Sequence, residues 1–281
     1  MILSQPADTL TAVDTLKNSG EQGGGWILHH VMDSNYIDFD PFGRLYLPHL
    51  ELFGIDISIT KNVFFMWLIA VILILLFLFL AKGYKKSLIP KGLTNFFEII
   101  VLFVRDEIVK PTIGKGYEKF LPYLLTLFFF ILFANLFGLI PYSTSVTGNI
   151  AVTAGLAGIS FIATQFSGIQ KHGFIRYFRN LIPTGMPLAI LPLMIVVEVI
   201  GLFTKPFSLC IRLFANMIAG HVVIFSLIGL IIILKTVLVS PVSIGFVLFI
   251  DLLELLVALI QAYIFVILTS LYIGMAVHQE H

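Results

Sequence analysis

One cysteine (Cys210) in 281 residues, and charged side chains at only 12%, are what this sequence most clearly lacks. A lone thiol closes no internal disulfide and builds no thiolate metal cage. An ordinary soluble domain is about 25% charged and roughly 45–50% apolar. Here 58% of the residues are hydrophobic, and phenylalanine alone occurs 27 times. Too little polar surface remains to cover two soluble globules, so soluble enzymes, nucleic-acid binders and secreted disulfide scaffolds are excluded. The formal net charge of +1 offers no basic footprint for a polyanion. Catalytic motifs are missing as well: the glycine-rich stretches form no phosphate loop, and neither a nucleophile elbow nor an HExxH helix occurs. What the composition describes is an integral membrane protein.

Residues 1–62 stand apart. They carry Asp8, Asp14, Glu21, Asp33, Asp38, Asp40, Glu51 and Asp56 against Lys17, Arg44 and Lys61. No basic stretch precedes an apolar one, so no ordinary signal peptide is expected. After the flexible Gly23-Gly24-Gly25, the runs Trp26–His30 and Leu45-Tyr46-Leu47 are amphipathic enough to rest at a membrane interface. His29, His30 and His49 can be drawn as a zinc site, but adjacent histidines on a helix point about 100° apart, and a solvated surface is the better reading. No metal ligand set and no cofactor is expected.

Five apolar blocks follow. Val63–Ala81, Phe120–Ile140 and Ile150–Ile169 are 19, 21 and 20 residues without a charge, matching the ~20 helical residues that a bilayer core requires. Leu188–Leu234 and Val242–Val277 are far longer, 47 and 36 residues. As helices they would reach roughly 70 and 54 Å. A core of about 30 Å holds such lengths only if each is strongly tilted, partly interfacial, or split into a hairpin. Between the first two blocks, Phe96, Phe97, Ile100, Val101, Val104 and Ile108 recur near helical spacing, which predicts an interfacial or buried helix over 94–110. The expected fold is an all-α polytopic membrane domain at 63–281, following an acidic segment at 1–62 that lies outside the membrane.

Basic residues set the orientation. The connector 82–119 holds Lys82, Lys85, Lys86, Lys91, Arg105, Lys110, Lys115 and Lys119, and 170–187 holds Lys171, Arg176 and Arg179 with no acid. The opposite side has only Lys17, Arg44, Lys61 and Lys235. The first side is therefore cytoplasmic and the N-terminus outside. Five spans put the C-terminus inside; a break at Lys205-Pro206 would reverse it.

Several polar residues sit deep in the two overlong blocks: Glu198, Lys205, Ser208, Arg212, Asn216 and His221 in one, Asp251, Glu254 and Gln261 in the other. A charge at bilayer depth costs about 2.5–3.5 kcal/mol on insertion scales, so such groups face protein or water. Lys205 can snorkel to an interface. Arg212 cannot, because the chain on both sides of it is nearly all apolar or small. Glu198, Lys205 and Arg212 are spaced by seven and share a helical face, with Ser208 and Asn216 one turn either side of Arg212. His221, nine positions on, lies on the opposite face. Asp251, Glu254, Ala258, Gln261 and Phe265 form one stripe on the last helix. Two titratable stripes on neighbouring helices read as a proton or ion path.

The segment Lys205-Pro206-Phe207-Ser208-Leu209-Cys210-Ile211-Arg212-Leu213-Phe214-Ala215-Asn216-Met217-Ile218-Ala219-Gly220-His221 resembles the signature of subunit a of F-type ATP synthases. Glu254–Phe265 resembles that family's C-terminal signature, and Phe103–Ile108 and Asn135–Pro141 are supporting matches. The resemblance implies a stator that clasps a rotating ring of c subunits with two long, steeply tilted helices. It further implies the peripheral-stalk subunit b and the rest of the F1Fo complex as partners, with ATP chemistry in the soluble part. Arg212 matches the family's essential arginine, Asn216 and Gln261 its polar neighbours, and His221 and Glu254 two positions of the access channels. Many bacterial members have glutamate at the first of these and histidine at the second. Here the two are exchanged, as in mitochondrial and some other bacterial members. Glu198 matches a less strictly required acidic position, and Asp251 has no general counterpart. The implied site is a bacterial inner membrane, with a mitochondrial inner membrane as the alternative. The coupling ion, H⁺ or Na⁺, is set mostly by the ring.

Two other readings compete. A self-contained secondary transporter or channel would use the same buried charges, but it predicts broken helices and often an internal repeat, and no repeat is evident. A purely structural scaffold leaves Arg212 unexplained.

Overall fold

The computed structural model describes residues 36–38, 44–46, 51–52, 55–56, 58, 60–86, 92–140, 143–179, 191–234 and 240–278. The stretch Trp26–His30 and His49 lie outside the described residues. Ahead of the membrane domain, strands β1 (Tyr36–Asp38) and β2 (Arg44–Tyr46) pair antiparallel, as do β3 (Glu51–Leu52) and β4 (Ile55–Asp56). Leu45 pairs with Ile37 and Tyr46 with Tyr36. Leu45 and Tyr46, from one of the runs expected to rest at an interface, are thus part of a short ladder, where the backbone pairs with its neighbour.

Five helices are long and apolar enough to cross a membrane. The first, α1 (Lys61–Lys86), starts where the Thr60 hydroxyl accepts from the Val63 N–H at 3.5 Å. After it comes α2 (Leu93–Phe103), which runs through a π-helical stretch at Val104–Val109 into the single turn α3 (Lys110–Ile113). Pro111 has no N–H to give the carbonyl four residues back, and a wider turn is one way in which a helix absorbs that loss. The two halves of the helix expected over 94–110 differ in burial. Phe96, Ile99 and Phe103 are exposed, whereas Val104, Ile108, Val109 and Ile113 are buried. Outside the spans, Arg105 grips Asp106 through two hydrogen bonds of 2.9 and 2.8 Å. That grip holds the Asp106 carboxyl below its ordinary range.

Helix α4 (Leu121–Gly138) begins with Pro122 in its first turn, where the absent N–H costs nothing. Phe129 joins three elements, meeting Phe77 of α1 at 5.0 Å and Phe97 of α2 at 6.0 Å between ring centroids. Asn149 caps α5 (Ile150–His172) by accepting from the Ala151 N–H at 2.9 Å. The helix runs three residues past the expected Ile169, to a stop at Gly173, whose φ of 80° suits glycine. A short helix, α6 (Phe174–Arg179), follows.

The two overlong blocks are each one continuous helix: α7 (Leu191–Leu234, 44 residues) and α8 (Ser240–Val277, 38 residues). Pro206 lies inside α7 without ending it. Lengths of roughly 66 and 57 Å exceed a ~30 Å core about twofold, so with the hairpin excluded each helix is either strongly tilted or partly interfacial. Helix α8 is the hub of the domain, in contact with α3, α4, α5 and α7. The Thr112 hydroxyl meets the Ser270 hydroxyl across the α3–α8 contact. At Gly274 an added Cβ would overlap the Thr112 carbonyl.

Candidate functional site

The α7–α8 pair runs antiparallel, and three cross-helix contacts fix its register. Asn216 Nδ2 donates to Gln261 Oε1 at 2.9 Å. The Lys205 ammonium stands 5.4 Å over the Tyr272 ring, so it is held by a cation–π contact. Glu254 presses its carboxyl on Gly220, where an added Cβ would overlap Oε1 and lie 3.0 Å from Glu254 Cγ. Glycine at 220 is what allows the carboxyl to reach α7.

Arg212 is half-buried between these contacts, its Nη2 3.4 Å from the Ser208 hydroxyl one turn away. Its face also carries Asn216, as helical phase predicts, and Asn216 leads to Gln261, which is buried at 3% exposure. His221 points elsewhere. Its Nδ1 lies 2.9 Å from the Met217 carbonyl and its Nε2 3.1 Å from the carbonyl of Gly138, at the end of α4. Both neighbours are acceptors, so a neutral imidazole, with one N–H, can satisfy only one of them. Glu254 Oε1 is buried and has no hydrogen-bond partner among the described residues. Glu198 and Asp251 are half-buried, and neither makes an ion pair or hydrogen bond among the described residues.

Other polar groups lie on neighbouring elements; Asn135 entered the sequence reading only within the supporting match Asn135–Pro141, and Asn62, Thr144 and Thr147 were not singled out. Asn135 on α4 accepts from the Thr147 hydroxyl at 2.7 Å and reaches the Ala258 carbonyl of α8 at 3.5 Å. Thr144 donates to Asn62 at 3.0 Å. All four side chains are buried. The available signal was Asn135, an amide within an otherwise apolar 21-residue block.

The family model described as ATP synthase A chain matches residues 63–274. The chain belongs to this family. An ATP synthase subunit a of Chloroherpeton thalassium is 52% identical over 258 residues, spanning 90% of this chain and 77% of the relative. An ATP synthase subunit a 2 of Chlorobaculum tepidum is 49% identical over 260 residues, covering 91% and 74% respectively. An ATP synthase subunit a of Myxococcus xanthus is 47% identical over 237 residues, covering 84% and 78%. As a family member with five apolar helices, the chain is a bacterial multi-pass membrane protein of the Fo part, serving ion transport coupled to ATP synthesis.

The Asn216–Gln261 bond gives a direct test of the seam. Asn216→Ala and Gln261→Ala should each lower the denaturation midpoint of the assembled complex. The double substitution should cost about 1 kcal/mol less than their sum. Simple additivity would show that the two side chains act independently.

Proposed function

We propose that this chain is the stator of a rotary motor, passing protons through two aqueous half-channels against a ring of c subunits, with Arg212 between them. The observation that carries the reading is the order of groups along one seam. Arg212 lies roughly 12 Å along α7 from the level of Gly220, where Glu254 docks, and roughly 21 Å from Glu198 in the other direction. Titratable groups therefore approach the arginine from both ends, and none bridges past it among the described residues.

The chemistry follows from the charge. A proton enters by one half-channel, protonates a ring carboxylate, rides the rotor and leaves by the other. The Arg212 guanidinium stays charged at any working pH. It attracts the deprotonated ring carboxylate, so protons leave as each c subunit passes. Its permanent charge also bars direct proton transfer between the half-channels. On the Glu254 side, His221 is held between two carbonyls, those of Met217 and Gly138. Glu254 and His221 have no hydrogen bond between them among the described residues. Water or a side-chain rotation must link them if they titrate as a coupled relay. The driving force, about 2.3 kcal/mol per charge per 100 mV, requires several protons per ATP, which a multi-subunit ring supplies.

The basic connectors support a cytoplasmic C-terminus and an outer N-terminus, with the acidic residues before α1 outside the membrane. The ring, subunit b and the soluble catalytic part are the partners in this reading. Membership of the ATP synthase family disfavours the self-contained transporter.

Proton flux through the reconstituted complex, with and without sodium, tests the relay. His221→Ala and Glu254→Ala should each slow flux at least tenfold. The exchange of both (His221→Glu with Glu254→His) should recover more activity than either exchange alone. Wild-type flux in both alanine variants would remove the pair from the path, and flux that follows sodium would replace the proton as the coupling ion.

A further inference from the structure

The elbow between α5 and α6 takes no part in the ion path, yet its geometry is specific. Gly173 turns the chain at a φ of 80°, and α6 folds back along the last turns of α5. Tyr177 fastens it there: its ring is 2% exposed, its hydroxyl donates to Gln165 Oε1 at 3.0 Å, and its ring atoms fill the notch left by Gly168. This lays α6 beside the last turns of α5, the C-terminal end of an apolar helix long enough to cross a membrane. Two large apolar side chains are exposed over most of their surface, Phe174 at 65% and Ile175 at 81%. Lys171, Arg176 and Arg179 are exposed beside them, and none of the three makes an ion pair among the described residues. The sequence from 170 to 187 contains no acid that could neutralise them.

A six-residue helix pinned by a buried tyrosine, with exposed apolar and exposed cationic side chains interleaved, matches the surface of an anionic bilayer. We propose that the α5–α6 elbow is a binding site for anionic phospholipid, with Lys171, Arg176 and Arg179 meeting the headgroup phosphate and Phe174 and Ile175 packing on the acyl chains. Charge complementarity selects this occupant. A neutral lipid would leave three cations unmatched, and a free anion would leave the two apolar side chains in water. The site also bears on the last helix, because His172, at the end of α5, lies 3.0 Å from the Val277 carbonyl of α8 through Nε2. Lipid held at the elbow steadies both helix ends.

The test uses the intact complex in phosphatidylcholine vesicles doped with photoactivatable phosphatidylglycerol, or with photoactivatable phosphatidylcholine as control. Mass spectrometry then maps the labelled peptides. Phosphatidylglycerol should label 171–179 well above the control lipid, and an excess of inorganic phosphate should not compete. R176Q/R179Q should weaken apparent affinity about 30-fold, from about 1 kcal/mol for each basic residue near the surface. R176K/R179K should keep most of it. Equal labelling by the two lipids, competition by phosphate, or unchanged labelling in R176Q/R179Q would overturn the proposal. Loss in R176K/R179K as well would assign the arginines to folding and overturn it too. Absence of label from both lipids would mean that a protein neighbour covers the elbow, with the same consequence. None of these outcomes depends on how Arg212 or Glu254 works, so the ion-path reading stands or falls separately.

Discussion

Arg212→Ala is expected to abolish ATP-driven acidification of inverted vesicles and ATP synthesis together, while the complex still assembles. Assembly should survive because the one hydrogen bond of Arg212 among the described residues is the weak one to Ser208 at 3.4 Å, and the side chain is half-buried. Removing it leaves no buried partner charge exposed, so the usual large penalty for breaking a buried pair does not arise. In the proposed mechanism, what disappears is the fixed positive charge opposite the passing ring carboxylates. Without it a carboxylate entering the apolar seam remains protonated, because ionising it there costs several kcal/mol. A barrier raised by only 4 kcal/mol slows turnover about a thousandfold. Arg212→Lys should be nearly as damaging, since an ammonium in apolar surroundings can lose its proton and a guanidinium does not. Removal of the soluble catalytic part supplies a second reading: the alanine variant should make stripped membranes more permeable to protons than the parent. Normal pumping by Arg212→Ala would remove the mechanism altogether.

Gly274→Val is expected to lower the amount of assembled subunit at least tenfold, with no defect in the ion path itself. An added Cβ at this position overlaps the Thr112 carbonyl and lies 3.1 Å from Thr112 C and 3.4 Å from Ile113 Cα. All three atoms belong to backbone. Side chains can rotate out of the way, but α3 is locked between the π-helical stretch and Gly114, whose φ of 71° ends the helix. Overpacking in a close-packed interior costs about 1–3 kcal/mol, and more where the neighbour cannot yield. Two kcal/mol already changes the folded population about 30-fold. Immunodetection of membrane fractions measures the outcome. A valine variant that assembles fully would mean that α8 can shift along α3 without loss.

Helical phase was enough to place Ser208, Arg212 and Asn216 on one face and His221 on another, because 3.6 residues per turn leaves no freedom once the helix is given. Phase says nothing about which helix each face meets. The Asn216–Gln261 bond, Lys205 over Tyr272, and the seat of His221 on the Gly138 carbonyl are properties of register between helices. Residue chemistry alone left the continuity of α7 open, since a proline can break, kink or merely interrupt a helix. The family resemblance resolved it, and α7 does pass through Pro206. The π-helical stretch and the glycine notches at 168, 220 and 274 were not legible. In so apolar a chain, a glycine that admits a neighbour is indistinguishable by pattern from one facing lipid, such as Gly155 or Gly158, where an added Cβ meets nothing. Leu45 and Tyr46 lie in a strand that no periodicity announced, because a run of three residues is too short to carry one.

The position of α8 at the centre of the domain also orders events in time. Its neighbours α3, α4, α5 and α7 all precede it in the chain, so the ribosome delivers every wall of its socket before the helix that fills it. Until then the Asn135 amide, the Thr112 hydroxyl and the Asn216 amide have no α8 partner and stand open to whatever the membrane supplies. Docking of α8 is therefore the single step that gives all three groups their partners on it.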